Sequence, residues 1–205
     1  GSRGIGAGVV RAAAAAGYDV AFTYRERRDA ADAVIAGVRA ETSDARVRAY
    51  QLDVRDSAAV ERVGDQVLDD FDTVHVVVAN AGVYVRTPIV ELTTDHLERS
   101  MAVNFYGAVH VTLAALPHLR AQRSGHIVLV SSMDARTPLP LDAPYVTAKA
   151  ALTGLGAVMR QELAPEGIHV MTVMPGRVDT PLLDGIGVPA PAADQHQRDH
   201  DRGGL

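Results

Sequence analysis

The chain has no cysteine, which excludes disulfides and thiolate metal sites. Its unbroken apolar stretches fall far short of the roughly 20 residues a membrane-spanning helix needs. Charge of one sign is not concentrated either. The formal net charge is −5 and the basic residues are scattered, whereas nucleic-acid binding needs a basic face. No secretory leader pattern is legible, and the expected compartment is the cytoplasm. The histidines at 75, 110, 118, 126 and 169 show no ligand spacing. His196 and His200 are four apart but lack helical support, so no metal site is expected.

What is present is ordinary globular material. With 47% apolar and 22% charged residues, 205 residues suit one domain that buries about 70% of its unfolded surface. Short β-branched runs alternate with longer helical stretches. Strands are expected at Asp19–Tyr24, Arg46–Gln51, Thr73–Asn80, His126–Ser131 and His169–Met174. Three of these are nearly continuous Val, Ile and Leu, as in strands buried on both faces of a parallel sheet. Helices are expected at Arg27–Glu41, at Ser57–Asp70 after the capping Asp56, at Thr94–Gln122, and at Ala143–Leu163 with Pro144 in its first turn. This alternation predicts an α/β fold, a doubly wound parallel sheet with helices on both faces. From Asp184 the apolar period stops, and residues 184–205 read as a loop and disordered tail.

The first residues, GSRGIG, run directly into an alanine-rich helix. Glycines there let a backbone approach a pyrophosphate, which the helix N-terminus then holds through its amides and dipole. An acidic residue expected about 20 residues on, at the next strand's end, would hold a ribose diol. That place reads Tyr24-Arg25-Glu26. Arg25, with Arg3 in the glycine turn, suits a 2′-phosphate instead and favours NADP(H) over NAD(H). The alternative is a solvated helix start made by Arg25, Arg27 and Arg28.

Tyr145 and Lys149 are four apart on an expected helix and so share a face. An ammonium beside a phenol favours phenolate, lowering the tyrosine's pKa toward working pH. Taken alone, the pair fits a surface tyrosine above a surface lysine equally well. Its context argues otherwise. Ser132 lies thirteen residues upstream at the end of HIVLVS, and ligands of open α/β sheets sit beyond the carboxyl ends of strands. Asn80-Ala81-Gly82 ends another strand with small residues, and Asn104 is polar within an apolar helical pattern. Asp53 follows RVRAYQ, where a carboxylate can accept from an adenine amino group. Pro175 and Gly176 turn the chain after the last strand, with Thr180 four residues later. Met133, Asp134 and Arg136 occupy the loop after Ser132 and either tune a substrate site or only fill it.

This ordered set of GSRGIG, LDV, ANAG, the helical asparagine, SS followed by YxxxK, and PGxxxT resembles the smaller branch of the short-chain dehydrogenase/reductase family from Gly1 to about Leu183. Ketoacyl and polyketide ketoreductases are the nearest look-alikes. The resemblance implies a single NAD(P)-binding Rossmann-type domain over residues 1–183. It implies hydride transfer between NADP(H), with NAD(H) possible, and a ketone or secondary alcohol. Tyr145 would be the acid–base, Lys149 its modulator, Ser132 the substrate-positioning hydroxyl and Asn104 the support of a proton relay. Ser2, Arg3, Gly4, Ile5, Gly6, Arg25, Asp53, Val54, Asn80, Ala81, Gly82, Tyr145, Lys149, Pro175, Gly176, Val178 and Thr180 would contact the cofactor.

The family pattern also includes a strand ahead of the glycine turn and, after the last motif, a helix and a seventh strand, none of which is legible here. In the family's 3-2-1-4-5-6-7 order that first strand is central. Without it Asp19–Tyr24 and Thr73–Asn80 are expected to face each other across a gap of about 10 Å, two inter-strand spacings. Edge groups left unpaired and buried there cost about 1–3 kcal/mol each, against a total stability of about 5–15 kcal/mol. A non-catalytic remnant that keeps the fold is therefore a competing reading. An epimerase or dehydratase of the larger related branch also carries YxxxK, but this chain has no room for the extra C-terminal domain. Family habit implies a homodimer or homotetramer through helices 94–122 and 143–163, with Leu97, Met101, Leu152 and Leu155 as apolar contacts. The same residues could pack on the chain's own sheet.

Overall fold

A computed structural model describes residues 1–42, 44–176, 178 and 182. Its order is α1 (Gly4–Ala15), β1 (Val20–Tyr24), α2 (Arg28–Glu41), β2 (Val47–Gln51), α3 (Ser57–Phe71), β3 (Val76–Ala79), α4 (Thr94–Met101), α5 (Gly107–Gln122), β4 (Gly125–Val130), α6 (Ala143–Leu163) and β5 (Ile168–Val173). All strand pairs are parallel, with β1 beside β2 and β4 between β3 and β5. This is the expected doubly wound α/β arrangement. Thr180, the segment 184–205 and His196 and His200 lie outside the described residues, as does anything expected of them.

Local chemistry explains the element ends. The Asp56 carboxylate accepts from Ala59 N at 2.9 Å and starts α3, while Asp72 ends it in the left-handed region at φ 64°. Thr93 caps α4 together with His96. One expectation is corrected here: Thr94–Gln122 is not a continuous α-helix. It widens into a π-turn over Ala102–Tyr106, between α4 and α5, because Asn104 is drawn into a tertiary hydrogen-bond set described below.

The described strands form two separate sheets. β1 pairs only with β2 and β3 only with β4, so the edges of β1 and β3 face an unfilled slot, as the sequence leads one to expect. The Gly1 amino group donates to Thr23 O at 2.5 Å and satisfies one acceptor on the β1 edge. The core divides accordingly. One cluster joins α1 and α2 to β1 and β2 through Val10, Phe22, Ala31, Val34 and Val38. Another joins the three-stranded sheet to α5 and α6 through Leu119, Ile127, Leu129, Leu152 and Ile168. Leu152 is 1% exposed within that cluster. It packs on the chain's own sheet, which removes it from the expected dimer seam.

Candidate active site

A cavity of about 1450 Å³ runs across the carboxyl ends of the strands and continues into the slot between β1 and β3. That continuation explains why it exceeds the 300–1,000 Å³ usual for small-ligand sites. Every candidate residue among those described lines it. On the nucleotide side are Ser2, Arg3, Gly4, Ile5, Gly6, Arg25, Asp53, Val54, Asn80, Ala81 and Gly82. On the catalytic side are Asn104, Ser132, Tyr145, Lys149, Pro175, Gly176 and Val178.

The glycine turn is shaped for close approach. Gly4 opens α1 at φ 50°, a conformation that favours glycine. Arg3 precedes the helix without a side-chain cap, so the first-turn amides keep their hydrogens for an anion. A Cβ on Gly6 would lie 2.8 Å from Asn80 Nδ2. A Cβ on Gly82 would lie 2.9 Å from Asn104 Oδ1 and 3.8 Å from Lys149 Nζ. The two glycines keep open a cradle that fits a dinucleotide pyrophosphate and nicotinamide ribose.

The flanking charges are already engaged. Arg25 pairs with Glu26, but both are exposed, and such surface pairs contribute about 0–1 kcal/mol. Arg25 can therefore exchange that partner for a phosphate. Asp53 receives Arg55 Nε at 2.9 Å and Arg55 N at 3.0 Å, and these bonds hold its carboxyl below the usual carboxylate range.

Asn104 is fully buried. Its Oδ1 accepts from Val83 N at 3.1 Å, and its Nδ2 donates to Val83 O at 2.9 Å and to Ser100 Oγ at 3.0 Å. The π-turn aims the side chain at this loop. One Oδ1 lone pair remains. Ser132 ends β4, and its Oγ accepts from Asp134 N at 3.1 Å, leaving its own proton to donate.

Lys149 is 4% exposed, and Nζ donates to Val130 O at 2.7 Å. Burial lowers its pKa to about 8. Nζ lies 5.8 Å from the centroid of the Tyr145 ring. The expectation that this ammonium brings the tyrosine toward working pH is corrected. Burial pushes the Tyr145 phenol above its ordinary value; the Ser132 hydrogen bond opposes this, while the negative charges of Asp134 and Asp142 add to it. Desolvation of a 7%-exposed phenol outweighs an ammonium that is itself desolvated and turned toward a backbone carbonyl.

Sequence reasoning missed Tyr84, Arg86 and Asp142. Tyr84 Oη donates to Asp142 Oδ2 at 2.6 Å, and the Tyr84 ring meets Tyr145 edge-on at 4.6 Å. The legible signal was an aspartate directly before the helix that carries Tyr145. Among the described residues no group of three or more metal-ligating side chains occurs. Nor is any described helix long and apolar enough to cross a membrane.

A family profile described as short chain dehydrogenase matches residues 1–188. An uncharacterized oxidoreductase of Methylorubrum extorquens is 34% identical over 91% of this chain and 74% of its own length. The 3-oxoacyl-[acyl-carrier-protein] reductase FabG of Staphylococcus aureus is 31% identical over 90% of this chain and 74% of its own. Among solved structures, a short-chain dehydrogenase/reductase from Serratia marcescens superposes with a TM-score of 0.81 at 37% identity, covering 89% of this chain and 73% of that one. Against some curated oxidoreductases the chain spans only 54% of the relative's length.

Proposed function

The chain belongs to the short-chain dehydrogenase/reductase family, a family of NAD(P)-dependent oxidoreductases, and from that premise we propose that it is an NADP(H)-preferring carbonyl reductase with Tyr145 as its acid–base. One observation carries the reading: a single cavity holds the glycine turn, Asn104, Ser132, Tyr145 and Lys149.

The bound nicotinamide supplies or takes up the hydride. In the reducing direction Tyr145 gives its phenolic proton to the substrate oxygen, and Ser132 donates a hydrogen bond to the same oxygen. Burial keeps Tyr145 protonated at neutral pH and therefore ready to donate. Lys149 lies one helical turn on, where it returns the proton and binds the ribose. The free lone pair of Asn104 Oδ1 holds the water through which that proton arrives. Arg3 and Arg25 favour a 2′-phosphate, whose charge a planar guanidinium binds in bidentate fashion. The substrate class is a ketone or secondary alcohol, and the named reductase among the relatives makes 3-oxo compounds the first to test.

A second reading is favoured by the open slot between β1 and β3: a chain that keeps the fold without productive cofactor binding. The acid–base assignment is tested by Tyr145→Phe, which is expected to bind NADPH as the parent does while losing reduction of ethyl acetoacetate. Turnover at the parent's rate would refute it.

A further inference from the structure

Proton transfer leaves one set of side chains on the cavity wall without a part. Asp142 directly precedes α6, where an aspartate ordinarily accepts from first-turn amides. Here it makes no capping bond. Both carboxylate oxygens instead reach the loop after β3: Oδ2 accepts from Tyr84 Oη at 2.6 Å and Oδ1 from Arg86 Nε at 2.8 Å. The carboxylate is wholly buried, and a charge in that position persists only when paired and hydrogen-bonded.

Further bonds join the same two loops. Thr87 N donates to Leu141 O at 2.9 Å, and Arg86 Nη2 donates to Pro140 O at 3.3 Å. Leu141 sits at φ 75°, a left-handed conformation for a branched residue that persists only when its surroundings hold it. The Tyr84 ring, fixed at its hydroxyl, meets Tyr145 at 75° with centroids 4.6 Å apart. An edge-to-face pair prefers one orientation of both rings.

We propose that Asp142 and Tyr84 are positioning residues that hold the Tyr145 ring in register with the substrate oxygen. This rests on the reading of Tyr145 as the acid–base. Burial and the Asp142 bond raise the Tyr84 phenol above its ordinary value, so it remains a hydrogen-bond donor and does not compete as an acid. The charged groups around Tyr145 are Asp134, Asp142 and Lys149.

The test uses the full chain, with kcat, KM and NADPH Kd measured separately for ethyl acetoacetate reduction across pH. Tyr84→Leu is expected to lower kcat about tenfold or more, as misplacing a reacting group does, with NADPH Kd unchanged. Tyr84→Phe keeps the ring but loses the bond to Asp142, and its kcat is expected between the two. Asp142→Asn removes a negative charge near Tyr145 and moves the Tyr145 limb of the pH profile to lower pH. The tyrosine Cζ resonances of carbon-13-labelled chain report the same Tyr145 shift without turnover. An unchanged kcat in Tyr84→Leu together with an unmoved limb in Asp142→Asn overturns the proposal. If Tyr84→Leu does not fold, Tyr84→Phe and Asp142→Asn decide it by the same readouts. Tyr145→Phe separates the two claims. If that variant turns over, the acid–base reading has failed; if it is inert while the Tyr84 and Asp142 variants match the parent, only the positioning role has.

Discussion

Replacing Asn104 with alanine probes the joint on which the catalytic half of the cavity is built. The side chain has no exposed surface and joins the π-turn to Val83 by a paired bond at 3.1 and 2.9 Å, with a third bond to Ser100 Oγ at 3.0 Å. Alanine leaves the Val83 N–H and C=O without these partners. A buried orphaned group costs about 1–3 kcal/mol, and Val83 is only partly buried, so the pair costs about 2–4 kcal/mol. For a domain of this size each kcal/mol lowers Tm by about 2–4 °C, which predicts a fall of roughly 5–15 °C. Without the bonds that favour it, the Ala102–Tyr106 turn is expected to relax toward a regular α-helix. Ser100→Ala removes one bond of the three and is expected to cost only about 1 kcal/mol. Melting curves of parent, Asn104→Ala and Ser100→Ala decide the matter. An Asn104→Ala variant melting within about 2 °C of the parent would refute the claim that this side chain holds the loop.

Two further outcomes follow from the charges. Arg25→Ala is expected to weaken NADPH much more than NADH in parallel titrations; equal losses would assign Arg25 a general electrostatic role. Lys149 has its folded pKa lowered from 10.5 to about 8, so between those values the unfolded chain binds more protons than the folded one. Its contribution to stability therefore rises with pH through that window and is unfavourable below it. Compared with Lys149→Met, the parent is expected to gain relative stability from pH 8 to 10 in urea melts, and a constant difference would contradict the burial argument.

The parts of the fold legible in the sequence were those governed by local pattern. Pro144 in a first helical turn marks α6, and Ala143–Leu163 stands as expected. The Val-rich runs mark the strands to within a few residues, because strands buried on both faces have little freedom in composition. The gap between β1 and β3 was also legible, since family order places their common neighbour elsewhere. Long-range partners were not. The π-turn exists because Asn104 bonds Val83, 21 residues away, and no helical period encodes that bond. Asp142 reads as a helix cap, yet its partner Tyr84 lies 58 residues back. The spacing of Tyr145 and Lys149 correctly put them on one face. It carried no information about burial, and burial dominates both pKa values.

The measurement that bears most directly on the account is a fluorescence titration of the chain with NADPH and, separately, NADH. The account predicts saturable binding that favours NADPH, with the glycine turn and Arg25 forming a working nucleotide site beside the open slot. Absence of saturable binding to either nucleotide, together with a melt lacking cooperativity, would contradict it and leave the non-catalytic reading standing.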